Sequence, residues 1–217
     1  MTDSASMAVV FIDLAGFTAL TEAHGDNEAA DLSERFTAMT AAELDASDRL
    51  VKTIGDAVLL VSDDAGSVVA LLRRVLPRYA EAERFPIVRV GANLGPVVVR
   101  NGDVFGATVN VAARIAGQAG GGQVLVTEPI ATAARAADVG VRDPGQLWLR
   151  NVSEPVTVYD LDFGMETRSV AVDPVCRMRI AASCGAGHLR YAEVDYPFCS
   201  LACAAAFAAD PARFVVV

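Results

Sequence analysis

Cysteine is missing from the first 175 residues of this 217-residue chain, and His24 is the only histidine among them. Catalysis by a Cys–His pair, or by any histidine relay, therefore lacks raw material over most of the sequence. Aromatic residues make up only 6%. No apolar run reaches the roughly 18 residues that would span a bilayer. The start, Met1-Thr2-Asp3-Ser4, lacks the basic segment of a signal peptide. A cytoplasmic protein without membrane association is expected. Positive charge is also scarce: the formal net charge of −9 argues against nonspecific nucleic-acid binding, which needs basic patches. Nucleotide binding stays open, because a few cations inside a site suffice.

What is present in quantity is small apolar material, 53% of residues, enough for one ordinary domain and a small second one. Met7 to Ile12 reads as a strand buried on both faces. Gly16 to about Ala46 is helical, broken near His24-Gly25-Asp26, where Asp26 is expected to cap a second helix. Strands over 49–54 and 57–62 flank Gly55-Asp56 as a hairpin. An amphipathic helix spans 65–82, with a kink or end expected at Pro77. A long strand over 87–100 turns at Asn101-Gly102, a pair suited to two positive-φ positions. Ala107 to Gln118 is helical, and the glycines at 120–122 stop it; no Lys-Ser/Thr follows, so they are not a phosphate loop. A strand at 123–127, a helix at 129–137 and two closing strands ending near Leu161 complete an α+β domain.

Asp13 and Asp56 each follow an apolar strand, where paired carboxylates suit Mg²⁺, a hard cation that takes oxygen ligands. Lys52 precedes Asp56 by four residues, Asp103 lies past the hairpin tip, and Asn110 and Arg114 share a helix face at i, i+4. The apolar stripe of that helix is Val109, Ala112, Ala113 and Ala116, which leaves Asn110 and Arg114 free. Read singly, each is equally a turn residue or a solvated face.

Together they carry a resemblance. Phe11-Ile12-Asp13-Leu14-Ala15-Gly16-Phe17-Thr18, Lys52-Thr53-Ile54-Gly55-Asp56 and Gly102-Asp103-Val104-Phe105-Gly106-Ala107-Thr108-Val109-Asn110-Val111-Ala112-Ala113-Arg114 resemble the class III adenylate/guanylate cyclase catalytic domain, in its compact bacterial subtype. The resemblance implies a ferredoxin-like βαββαβ core with extra C-terminal strands over residues 1–163. It implies two Mg²⁺ or Mn²⁺ ions on Asp13 and Asp56, with the carbonyl of Ile12 or Leu14 as an added ligand. Lys52 and Asp103 would read the purine edge with adenine polarity, favouring ATP. Asn110 would orient the ribose and Arg114 stabilise phosphate charge. It further implies a head-to-tail homodimer whose two sites each draw on both subunits, turning ATP into cyclic AMP and pyrophosphate. The rival reading is a cyclase-like domain that binds nucleotide without turnover. Such a domain tends to lack one of these positions, and all six carry the expected residue type.

All four cysteines fall in residues 173–217, beyond a polar linker at 164–172. Asp173-Pro174-Val175-Cys176-Arg177-Met178, Tyr196-Pro197-Phe198-Cys199-Ser200-Leu201-Ala202-Cys203, Phe207 and Asp210-Pro211-Ala212-Arg213-Phe214 resemble the small YHS/TRASH-type metal-binding domain. Cys176, Cys199 and Cys203 would bind a soft or borderline ion, Zn²⁺ or Cu⁺, on a β-hairpin-plus-helix scaffold. Cys184 and His188 are the candidate fourth ligands, since tetrahedral zinc takes four. Ser200 can cap the helix. Arg177 departs from the glycine usual after the first cysteine and places a tight turn there in question. Small buried cysteines without a metal are the alternative. Sensing of metal or redox state that biases cyclase output is the expected role; the alternative is a module that merely stabilises or localises the enzyme.

Overall fold

The computed structural model describes residues 4–164, 171–180 and 185–215. The linker expected at 164–172 and Cys184 lie mostly or wholly outside that set. Strand β1 (Ser4–Leu14) runs through the middle of the sheet. Ala8, Val10, Ile12 and Leu14 face one side of it, Val9 and Phe11 the other, and all are buried. The period-2 alternation of a strand places them so, and apolar residues on both faces mean a layer on each side.

Helices α1 (Phe17–His24) and α2 (Asp26–Ala42) lead to the hairpin β2 (Asp48–Ile54) and β3 (Ala57–Ser62), then to α3 (Ala65–Glu81) and β4 (Val88–Arg100). The four strands lie in the order β2-β3-β1-β4, with every neighbouring pair antiparallel. This is the ferredoxin-like βαββαβ arrangement. Asn101 and Gly102, at φ 52° and 79°, turn the chain into β5 (Asp103–Phe105), which pairs back onto β4. After α4 (Ala107–Gln118), strand β6 (Val124–Thr127) joins β4 in parallel. Helix α5 (Glu128–Ala136), β7 (Gly140–Leu147) and β8 (Val156–Asp162) follow, with β8 beside β6 and β7 at the edge.

Helices α2, α3 and α5 cover one face and α4 the other. The α4 stripe is wider than expected: Thr108, Ala112, Ile115 and Ala116 are the buried residues, and Val109 and Ala113 are only partly covered. Gly91 of β4 allows this packing. A Cβ there would lie 2.1 Å from the backbone nitrogen of Ala116, so only glycine lets the helix sit so close.

Two local expectations change. Asp26 does not cap α2; Gly25 at φ 88° is the N-cap, and Asp26 occupies the first turn, where a carboxylate favours the helix dipole. Pro77 does not end α3, which continues to Glu81. Burial of Val75, Leu76 and Tyr79 around it outweighs a cost of about 3 kcal/mol for an interior proline.

The C-terminal part contains the short pair β9 (Ala171–Val172) and β10 (Arg179–Ile180), the hairpin β11 (Gly187–Tyr191) and β12 (Val194–Phe198), and α6 (Leu201–Ala209). Phe207 of α6 is packed among Tyr196, Phe198 and Phe214. Its underside is continuous with the larger core: Val175, Cys176, Met178 and Phe198 belong to one apolar cluster with Leu20, Phe36 and Phe85. Backbone bonds tie the two together, from Ile87 N–H to the Arg177 carbonyl at 3.1 Å and from Arg179 N–H to the Phe85 carbonyl at 3.2 Å.

Candidate active site and metal centre

Asp13 lies at the end of β1, opposite Ala57 on one side and Arg89 on the other. Gly55 at φ 62° forms the β2–β3 turn that presents Asp56. The Leu14 N–H donates to the Asp56 carbonyl at 3.1 Å, and Ser33 of α2 donates to the Gly55 carbonyl at 2.9 Å, so turn and strand end are fixed together. Burial raises the pKa of Asp13 and the nearby Asp56 carboxylate raises it further, while Arg89 opposes both. Two carboxylates that disfavour each other's charge, hard oxygen donors at a strand end, fit a divalent cation. Ile12 is paired within the sheet on both sides, to Val58 and Val90, whereas Leu14, the last residue of β1, pairs with Val88 on one side and lies beside Asp56 on the other.

Sequence reasoning missed Arg89. Its Nε and Nη2 donate to the same Asp13 oxygen at 2.6 Å and 2.5 Å. The signal available was a lone arginine inside the apolar run Ile87-Val88-Arg89-Val90.

Lys52, on β2, donates to Asp103 of β5 at 2.6 Å. It is the only lysine in the chain. Its ammonium also lies 5.9 Å from the centre of the Phe105 ring, within cation–π range. Arg49 donates to the Gly102 carbonyl at 2.5 Å and anchors the hairpin that carries Asp103. The hydrogen bond from Lys52 and one from the Val104 N–H hold the Asp103 carboxyl below its ordinary range. Ile54 and Phe105, both 47% exposed, leave apolar surface around this pair. Asn110 is exposed and Arg114 half-buried on α4, and neither side chain has a hydrogen bond or ion pair among the described residues. The structure thus brings Asp13 to Asp56 and Lys52 to Asp103, and leaves Asn110 and Arg114 without a partner.

Residues 1–161 match the family described as the adenylate and guanylate cyclase catalytic domain. The chain belongs to that family. Among curated relatives, an adenylate cyclase of Streptomyces coelicolor is 44% identical over 122 residues, covering 55% of this chain and 32% of the relative. A pH-sensitive adenylate cyclase of Mycobacterium tuberculosis is 38% identical over 125 residues, covering 57% of this chain and 31% of the relative. The chain spans about a third of the length of these relatives. The crystal structure of the adenylyl cyclase CyaB from P. aeruginosa superposes with a TM-score of 0.65 at 22% identity, over 74% of this chain and 95% of that one. That of the guanylyl cyclase Cya2 gives 0.63 at 22% identity, over 77% and 97%. These two likenesses establish the cyclase fold.

A second constellation lies on the far side of α1. Cys176 Sγ is 3.4 Å from Cys199 Sγ, which is 3.8 Å from Cys203 Sγ, and His24 Nε2 lies 3.5 Å from both Cys199 and Cys203. Ser200 caps α6 by accepting from the Cys203 N–H at 3.1 Å. Asp173, fully buried, accepts from the N–H groups of Val175, Cys176 and Cys199 and so fixes both cysteine loops. The Cys176 thiol is pushed well up by its contacts with the other two sulfurs and by burial. Cys203, hydrogen-bonded by Cys176 and Cys199, is pulled down.

Of the expected fourth ligands, only His188 can be placed, and it is not in this cluster. His188 is exposed on β11, and Cys184 lies outside the described residues. The histidine present is His24, from the cyclase domain. Arg177 makes the tight turn after all, adopting φ 57° despite its side chain, which packs over Gly16.

Proposed function

We propose that the protein is an adenylate cyclase that converts ATP to 3′,5′-cyclic AMP and pyrophosphate. The single observation behind this reading is the Lys52–Asp103 pair, a donor on β2 and an acceptor on β5 held side by side. Lys52 would donate to adenine N1 and Asp103 accept from the N6 amino group. Guanine presents the opposite polarity at both atoms, and a site built for one hydrogen-bond pattern rejects the other strongly. The 44% identity to an adenylate cyclase supports the same choice.

Asp13 and Asp56 would hold two Mg²⁺ or Mn²⁺ ions, with the Leu14 carbonyl better placed than that of Ile12 to add a ligand. When bound, such a pair activates the ribose 3′-hydroxyl and neutralises the departing pyrophosphate. Asn110 would orient the ribose. Arg114, a cation without an ion-pair partner among the described residues, would meet the negative charge that builds on the α-phosphate. Its solitude, and the apolar Ile54 and Phe105 beside the base-reading pair, support a head-to-tail homodimer in which a second copy brings its Asp13 and Asp56 to this half-site.

The C-terminal hairpin and helix we read as a YHS/TRASH-type module in which Cys176, Cys199 and Cys203 bind a soft or borderline metal. The cyclase reading is tested by incubating the protein with Mn²⁺ and ATP or GTP and separating the products. Cyclic AMP, with ATP preferred, is the expected result; nucleotide binding without cyclic product would leave the silent cyclase-like domain.

A further inference from the structure

His24 is buried, with only 5% of its side chain exposed, at the C-terminal end of α1. Its Nε2 faces sulfur atoms contributed from more than 170 residues away. Burying an imidazole against thiols is a poor use of its hydrogen-bonding capacity, but a good use of its lone pair. In a tetrahedral zinc site with Zn–S near 2.3 Å and Zn–N near 2.0–2.1 Å, sulfurs are about 3.8 Å apart and sulfur and nitrogen about 3.6 Å apart. The observed separations of 3.4 and 3.8 Å between sulfurs, and 3.5 Å twice from nitrogen, follow that pattern. All four donor atoms lie within 4.8 Å of one another. Neither sulfur pair is near the roughly 2.05 Å of a disulfide.

The outer shell is also in place. Glu28 Oε2 lies 3.7 Å from His24 Nδ1, and Arg84 pairs with the other oxygen of Glu28 at 3.1 Å. A carboxylate behind the non-ligating nitrogen fixes tautomer and ring orientation at metal sites. Asp173 performs the matching service for the cysteine loops.

The geometry points to a Cys₃His zinc site in which His24 of the cyclase domain is the fourth ligand, so that the ion cross-links α1 to the C-terminal module. This rests on reading the three cysteines as metal ligands and goes further in naming the fourth and its consequence. Three thiolates and one imidazole around a closed tetrahedron suit Zn²⁺ better than Cu⁺, which takes fewer, softer ligands. Helix α1 begins directly after the Ala15-Gly16 turn that follows β1, and Arg177, next to the ligand Cys176, rests on Gly16. The ion would therefore brace the turn that follows Asp13 and Leu14 at the end of β1.

The test is metal binding by the full chain and its His24→Ala, His24→Cys and His188→Ala variants, read by zinc content and zinc-edge X-ray absorption. The intact protein and His188→Ala should hold about one zinc per chain, with three sulfurs and one imidazole. His24→Ala should bind zinc more than about 100-fold more weakly, beyond the cost of losing an outer-shell partner, and lose the imidazole signature. His24→Cys should restore tight binding with four sulfurs. Zinc retained by His24→Ala with an unchanged imidazole signal would overturn the role of His24 alone. No zinc, or Cu⁺ held in its place by sulfurs without imidazole, in the intact chain would overturn the tetrahedral zinc site as well.

Discussion

Arg89 grips the Asp13 carboxylate from the neighbouring strand, through Nε at 2.6 Å and Nη2 at 2.5 Å. It stands where a divalent cation is wanted and offsets the mutual repulsion of Asp13 and Asp56. Replacing it by glutamine should lower the Mn²⁺ concentration that half-activates the enzyme, because the metal no longer competes with a guanidinium. The metal-free protein should lose about 1–3 kcal/mol, since the pair is only partly buried, and recover most of it on adding Mn²⁺. Thermal denaturation with and without Mn²⁺ checks both; equal losses in the two conditions would contradict the competition.

Lys52 offers a direct probe because no other lysine exists in the chain. An amine-reactive acylating reagent should label that position and the N-terminus only. Saturating ATP should protect Lys52 by at least about tenfold, as a contact with the base implies. Peptide mass spectrometry reads the result, and labelling at an unchanged rate would remove Lys52 from the nucleotide site.

The pH dependence of ATP binding follows from Asp103. Its carboxyl, hydrogen-bonded by Lys52 and the Val104 N–H, is held below the ordinary range. A depressed carboxylate keeps its contribution above the ordinary pKa and loses it only as pH falls through the lower, folded-state value. KM for ATP should therefore be flat from about pH 8 to about pH 5. The Asp103→Asn variant should show a raised KM at every pH; a KM that climbs already near neutrality would contradict the pairing.

Gly91→Ala should be severe although the change is one methyl group. The new Cβ would meet backbone, not a flexible side chain, so α4 itself must move. A loss of about 1–3 kcal/mol or more is expected from such overpacking. Because α4 carries Asn110 and Arg114, an ångström of displacement should cost about 100-fold in kcat. Circular dichroism should still show a folded protein at low temperature.

If one copy supplies Asp13 and another Arg114, two dead variants should repair each other. Asp13→Ala and Arg114→Ala, each inactive alone, should together recover up to about a quarter of wild-type activity, as random pairing into two-site dimers leaves one intact site in half the dimers. No recovery on mixing and re-equilibrating would exclude the composite arrangement.

Much of this was written in local pattern. The strand ends bearing Asp13 and Asp56, the Asn101-Gly102 turn and the limits of α4 follow from alternation, turn chemistry and helical spacing, which are short-range. The failures are long-range. Whether Pro77 ends a helix depends on how much the surrounding turn buries, which no local rule weighs. Arg89 looked unremarkable until β4 lay beside β1. Nearness in sequence points to Cys184 and His188 as fourth ligands, whereas the fold sets His24 beside the sulfurs. Ligand sets are assembled in space, and spacing along the chain does not report which histidine the fold brings beside the sulfurs.

The shared core described between the two parts of the chain has a practical meaning for anyone who would trim it. Cutting after Phe163 would strip the cover from Phe85 and Leu20 and remove the backbone partners of Phe85 and Ile87. The shortened protein would be a wounded cyclase rather than an unregulated one, and its activity would say little about signalling. A small C-terminal segment here acts as a wedge driven into the cyclase core, so whatever binds its cysteines would be felt as a change in the seating of α1.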